Sequence, residues 1–361
     1  MMPPPAGAPP LPVVLAVPGA LETATGGYAY DRALLAHLPH QGIDATHLPL
    51  PGGFPLAPAA VIAAAMEALT ASDPHALLLV DGLALGALPA DLLRPIASRL
   101  VGLIHHPLAL EAGLSAQHQA SLRLSERKAL SLCRAVITTS AETARILASD
   151  YDVPDRLISV AEPGLTRAPR SPAKGDPPRL LSVGTVIPRK AYPILVEALG
   201  GLRALSWTLT IVGSLEMDLS EAARLGAAIS DAGLSERVRL AGALERAALE
   251  AAYGQADLFV HPSLYEGYGM VLAEALQRGL PVVCTTGGAA AQTVPDGAGV
   301  KVPPGDATAL RNALAPLIAD AGARRNLADR AFAAGLTFPT WDDTAARIAS
   351  VLKGLARKVA A

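Results

Sequence analysis

The chain has 361 residues, room for two domains of ordinary size rather than one small module. With 51% hydrophobic and 17% charged residues it can bury a sizeable core, which excludes a disordered protein. Its net charge of -2 supplies no polyanion-binding surface, so no nucleic-acid partner is expected.

Cys133 and Cys284 have no CxxC spacing. That excludes a disulfide framework and a thiolate zinc site and fits a reducing compartment. No apolar run reaches the roughly 18 residues of a membrane span. The Pro-rich start, Met1–Pro10, lacks the basic region of a signal peptide and is expected to be disordered. The location expected from these features is cytoplasmic.

Short apolar runs then alternate with segments of helical period. The expected strands of the first half are Val13–Val17, Ala45–Leu48, Ala76–Val80, Val101–His105, Ala135–Thr138 and Leu157–Val160. Between them, Ala59–Ala71 and Arg123–Leu132 carry apolar residues at three- and four-residue spacing, as amphipathic helices do. The second half repeats the scheme with Leu180–Val183, Thr208–Val212, Val238–Leu240, Leu258–His261, Val282–Cys284 and Val300–Val302. Apolar strands separated by helices predict parallel sheets covered on both faces.

The Pro-rich stretch Thr166–Pro178 has no apolar periodicity and separates the halves. The predicted organisation is an N-terminal doubly wound domain over 11–168, a linker over 169–178 and a second such domain over 179–340. A final helical stretch, 341–361, is able to pack on either domain. The first half is slightly acidic and the second slightly basic, so the second is the expected home of an anion. Such sheets bind ligands beyond the carboxyl ends of their strands, and two facing domains would form a cleft there.

Three loops after strands carry candidate chemistry. Gly184, Thr185 and the residues to Lys190 follow one strand, and Arg189 and Lys190 offer two cations at a helix start, as a diphosphate requires. A solvated basic pair would look the same. After Leu258–His261 come Glu266, Gly267, Tyr268, Gly269 and Met270, with Glu274 among apolar neighbours on the next helix. Glycines permit close backbone approach, and a carboxylate in such company needs hydrogen-bond donors such as ribose hydroxyls. Two surface glutamates flanking a helix start are the plain alternative. Gly26 and Gly27 form a third loop, equally suited to a simple turn, and neither Gly-rich loop contains GxGxxG, which weighs against a nicotinamide dehydrogenase. His105 and His106 end a strand and point to opposite sides, so at most one serves a site. The pairs Asp150/Asp152 and Asp342/Asp343 lie away from strand ends and suggest no metal.

The stretch PSLYEGYGMVLAEALQRGLPVV, with seven residues between Glu266 and Glu274, resembles the EX7E signature of the family 4 glycosyltransferases, retaining enzymes of the GT-B fold. LLSVGTVIPRK, LTIVGS, the run Val238–Leu244 and GAGVKVPPGD resemble that family's other C-terminal motifs in order. ATGGYAYDRALLAHL, LIHHPLALE, ITTSAETARIL and AEPG resemble its N-terminal domain.

The resemblance implies two Rossmann-like domains facing across a cleft and a nucleotide-sugar donor whose ribose meets Glu274. It implies that Glu266 contacts the transferred sugar, with the backbone of Gly267, Tyr268, Gly269 and Met270 close by. Lys190 would neutralise the diphosphate with help from Arg189, beside Gly184 and Thr185. Gly242, Ala243 and Leu244 would lie near the nucleobase, and Gly26 and Gly27 near the phosphates. One histidine, His105 in preference to His106, would face the sugar. Many members carry Arg directly after the glycine where this chain has Thr185.

The expected function is retaining sugar transfer, without a metal ion, to an acceptor hydroxyl of a glycan, small metabolite or lipid, a soluble or polysaccharide-linked acceptor being preferred to a bilayer lipid. A GT-B epimerase or hydrolase, or a non-catalytic nucleotide- or carbohydrate-binding protein, stands as the alternative.

Overall fold

The structure, a computed structural model, describes residues 9–111 and 113–360, the side chains of 358–360 excepted. The expected disorder of Met1–Pro10 therefore falls, but for Pro9 and Pro10, outside the described residues.

All twelve expected strands form. They are β1 (Leu11–Pro18), β2 (Ile43–Leu50), β3 (Leu77–Asp81), β4 (Leu100–Ile104), β5 (Ala135–Thr138), β6 (Ile158–Val160), β7 (Arg179–Val183), β8 (Thr208–Val212), β9 (Val238–Leu240), β10 (Leu258–His261), β11 (Val282–Thr285) and β12 (Gly299–Val302). They make two six-stranded sheets, ordered β2-β1-β3-β4-β5-β6 and β12-β11-β10-β7-β8-β9. Every pairing between neighbouring strands is parallel.

Each sheet buries both faces, which is why its central strands read as unbroken apolar runs. Along β1, Val14 and Ala16 enter one core, whereas Val13, Leu15 and Val17 enter another. The second sheet divides likewise, with Leu209 and Ile211 of β8 on one side and Val212 on the other. The order of the strands reverses around the first strand of each half. In the first sheet β1 lies between β2 and β3, and in the second β7 lies between β10 and β8. At such reversals the crossover helices leave on opposite faces and open a crevice beyond the strand ends.

The chain divides into two compact units. One gathers residues up to Thr23, Gly27–Gly164 and Pro339 onward, and the other Ala24–Gly26 and Leu165–Phe338. Two expectations change. The stretch 169–178 is a strap fixed to the second unit and not a free linker. Ser171 is buried and hydrogen-bonded to Arg278 and Ala256, while Gly175 N–H and Arg179 N–H donate to the two oxygens of buried Asp257 at 2.7 and 2.8 Å. The boundary consequently falls at Gly164/Leu165 and not after residue 168.

The C-terminal helix, Trp341–Ala360, belongs to the first unit, where Ala345, Ile348, Ala349 and Leu352 pack with Val13, Leu15 and Leu34. Among the described residues, no helix is long and apolar enough to cross a membrane.

Candidate functional site

In the second unit the loops after β7 and β10 leave the sheet side by side, and their side chains meet at Glu266. Its Oε1 receives Lys190 Nζ at 2.6 Å, Ser263 Oγ at 2.5 Å and His261 Nε2 at 2.9 Å, with Arg189 Nη1 at 3.5 Å. Arg189 Nη1 also donates to the Tyr265 carbonyl at 2.8 Å. Glu266 is buried. Burial alone would favour its neutral acid, but Lys190, His261 and Arg189 outweigh that and hold Glu266 well below the usual carboxylate range.

His261 moves the other way. Burial first, and then the Lys190 charge, lower its pKa, so the ring is neutral and its Nε2–H is the donor to Glu266. The main chain fixes the glutamate too: Glu266 N–H donates to Gly287, and Ala289 N–H to the Glu266 carbonyl.

Gly184 and Thr185 follow β7, and the turn Pro188–Lys190 presents the two cations. This loop packs on the end of β8 so closely that only glycine fits there. Gly213 has φ +157°, and a Cβ on it would lie 1.9 Å from the Gly184 carbonyl oxygen. Gly213 N–H in turn donates to the Gly242 carbonyl at 2.9 Å, which places Gly242, Ala243 and Leu244 beside the same strand ends.

Gly269, at φ 92°, precedes the helix Met270–Gln277 and follows Gly267 and the buried Tyr268. Glu274 stands one turn into that helix. Tyr253 Oη donates to its Oε2 at 2.8 Å, and the Arg278 guanidinium lies 4.6 Å from the Tyr253 ring centre. Burial raises the Glu274 pKa, against the Tyr253 hydrogen bond and the Arg278 charge.

The first unit carries a separate polar group. Gly26 and Gly27 open the helix Gly26–His37, and Asp31 sits one turn further on, fully buried. His105 Nε2 lies 3.3 Å from Asp31 Oδ1 and 3.2 Å from Asp81 Oδ2, where Asp81 ends β3. A Cβ at Gly27 would stand 3.3 Å from the His105 ring, so glycine lets the helix approach it. Burial disfavours the imidazolium, but the two carboxylates prevail and raise the His105 pKa. Asp31 is raised by burial. His106 turns away to Glu111 Oε2 at 2.5 Å, so the adjacent histidines have different partners.

Sequence reasoning thus named Glu266, Lys190, Arg189 and Glu274 but not His261, Ser263 or Tyr253, and His105 but not Asp31 or Asp81. His261 and Asp81 had a legible signal, a polar residue ending an apolar strand. Asp31 is a carboxylate on the apolar face of a helix, and Tyr253 had no signal of its own.

Residues 166–333 match the family Glycosyl transferases group 1. The chain is 30% identical over 284 residues to a D-inositol 3-phosphate glycosyltransferase of Salinispora arenicola, covering 70% of this chain and 63% of that one. It is 33% identical over 192 residues to a GDP-mannose-dependent alpha-(1-6)-phosphatidylinositol monomannoside mannosyltransferase of Mycolicibacterium smegmatis, covering 50% and 49%. The chain therefore spans less than two thirds of the length of these relatives.

Among solved structures, a sucrose-phosphate synthase from Thermosynechococcus elongatus superposes with a TM-score of 0.81 at 21% identity, over 97% of this chain and 100% of that one. Anabaena HepE in complex with UDP and glucose gives 0.72 at 19% identity, over 97% and 99%. The fold is GT-B, two Rossmann-like domains, as the sequence resemblance implied.

Proposed function

We propose that this protein is a retaining glycosyltransferase that moves a sugar from a nucleoside-diphosphate sugar to an acceptor hydroxyl. The observation that carries the reading is the ionised, buried Glu266 bound to Lys190 and Arg189 where the second sheet reverses, inside the segment that matches the transferase family. A buried carboxylate and two cations at one point suit a ligand that brings both hydroxyls and phosphate.

In this reading Lys190, Arg189 and the backbone N–H groups ahead of Met270 stabilise the charge that develops on the departing diphosphate. Glu266 orients the sugar through its hydroxyls. Glu274, aligned by Tyr253, takes the ribose. The departing phosphate accepts the acceptor's proton on the face it leaves, so no dedicated protein base is required. No metal ion is needed for this charge balance, and chelator should leave turnover unchanged. His105, held between Asp31 and Asp81, faces the transferred sugar. Buried, free Cys133 and Cys284 suit a cytoplasmic setting, and no bilayer or nucleic-acid partner enters the reading.

The test is a thermal-shift screen with UDP, GDP, ADP and dTDP, followed by turnover with the matching nucleotide sugars. One diphosphate should raise the midpoint by several degrees. Glu274→Ala and Lys190→Ala should each lower donor use more than tenfold. Near-normal turnover in both variants overturns the site. Consumption of donor with no acceptor present points instead to an epimerase or hydrolase.

A further inference from the structure

The helix Gly26–His37 runs directly into the turn Leu38–Gln41, which sets His37 and His40 three residues apart. The C-terminal helix begins beside that turn and brings in Asp342. His37 Nδ1 and His40 Nδ1 lie 2.8 and 3.2 Å from the same oxygen, Asp342 Oδ1. The rings meet edge to face with centres 5.5 Å apart, and the three potential ligand atoms all lie within 4.8 Å of one another.

A zinc ion bound at about 2.0–2.2 Å to each of three ligands at tetrahedral angles needs them about 3.3–3.5 Å apart. The two nitrogen-to-oxygen spacings, 2.8 and 3.2 Å, are shorter than that by about 0.1–0.7 Å. The His40 and Asp342 side chains, 62% and 59% exposed, are free of core packing that would resist the adjustment. Neighbouring charges are otherwise engaged, Asp343 in capping Thr340 and Lys353 on the Gln41 carbonyl.

We propose that His37, His40 and Asp342 form a binding site for a borderline divalent cation, zinc in particular, with water completing its shell. Two imidazole nitrogens and one carboxylate oxygen favour zinc, nickel or copper over magnesium or calcium. The site is distinct from the group around His105. It lies at the far end of a 12-residue helix from Gly26 and Gly27, about 18 Å along the axis. His40 and Asp342 are 302 positions apart in the chain, so the ion would fasten the C-terminal helix to the first. That separation is also why Asp342 carries no metal signal in the sequence.

The test uses the full chain without an affinity tag, stripped with chelator and titrated calorimetrically with zinc chloride. A saturable site is expected in the wild type, and magnesium should not compete for it. His40→Ala, His37→Gln and Asp342→Asn should each weaken that site at least tenfold while leaving the circular dichroism spectrum unchanged. Zinc should raise the unfolding midpoint of the wild type by several degrees and not that of the variants. The proposal is overturned if zinc shows no saturable binding. It is equally overturned if folded variants retain wild-type affinity, since the zinc would then sit elsewhere, for example at Asp31, Asp81 and His105.

Discussion

Lys190→Met removes the ammonium closest to Glu266 and keeps an unbranched stem in its place. The side chains of Lys190 and Glu266 are 11% and 8% exposed, so the glutamate loses its main counter-charge where water is scarce. Breaking a buried pair on one side costs about 3–5 kcal/mol. Arg189, His261 and Ser263 remain on the same oxygen and soften the loss, which places the expected cost near about 2–3 kcal/mol. In a unit spanning Leu165–Phe338 that corresponds to a midpoint lower by about 5–10 °C.

The pH dependence separates this cause from simple packing. The folded-state pKa of Glu266 is depressed, so its stabilisation is present above the unfolded value of about 4.3 and is lost as pH falls towards the folded value. The variant lacks Lys190, the first of the groups that lower it. The gap between wild type and Lys190→Met should be full at pH 7 and shrink by up to about 1.4 kcal/mol per unit below about pH 4.3. Chemical unfolding followed by circular dichroism from pH 7 to pH 3.5 measures it. A gap that stays constant over this range, or that is below about 0.5 kcal/mol at pH 7, refutes the electrostatic account.

Three further outcomes are expected. Gly213→Ala sets a Cβ against the Gly184 carbonyl, so it should destabilise the second unit by more than about 2 kcal/mol; unchanged stability by chemical unfolding would mean the contact is not tight. His105 should remain protonated at pH 7.5 in ¹⁵N NMR because Asp31 and Asp81 raise its pKa, and Asp31→Asn should lower the pH at which it titrates; a neutral wild-type ring at pH 7 would contradict this. Removal of residues 340–361 uncovers Val13, Leu15 and Leu34, so the first unit should unfold at a lower temperature while the second keeps its own transition in calorimetry.

Much of the fold could be read along the chain because the central strands are buried on both faces and bounded by helices of clear period. Val13–Val17 and Leu258–His261 needed no distant partner to be recognised. The resemblance around PSLYEGYGMVLAEALQRGLPVV located both glutamates. Local composition misled at 169–178, where prolines suggested a free linker; the stretch is fixed by Asp257, a single buried carboxylate 82 positions from Gly175.

What the sequence by itself determined was the doubly wound class, the strand positions and the segments that hold Glu266, Glu274, Lys190 and His105. Each follows from short-range periodicity or from a contiguous motif. Tertiary structure alone decided which groups share a proton or a charge: Lys190 with Glu266 across 76 positions, His105 with Asp31 and Asp81, and Tyr253 with Glu274. It also decided that the last helix completes the first unit. The first two pairings arise because parallel strands deliver their carboxyl ends to one edge of a sheet, whatever their separation along the chain, and the third because the helices Arg246–Gln255 and Met270–Gln277 bring Tyr253 to Glu274.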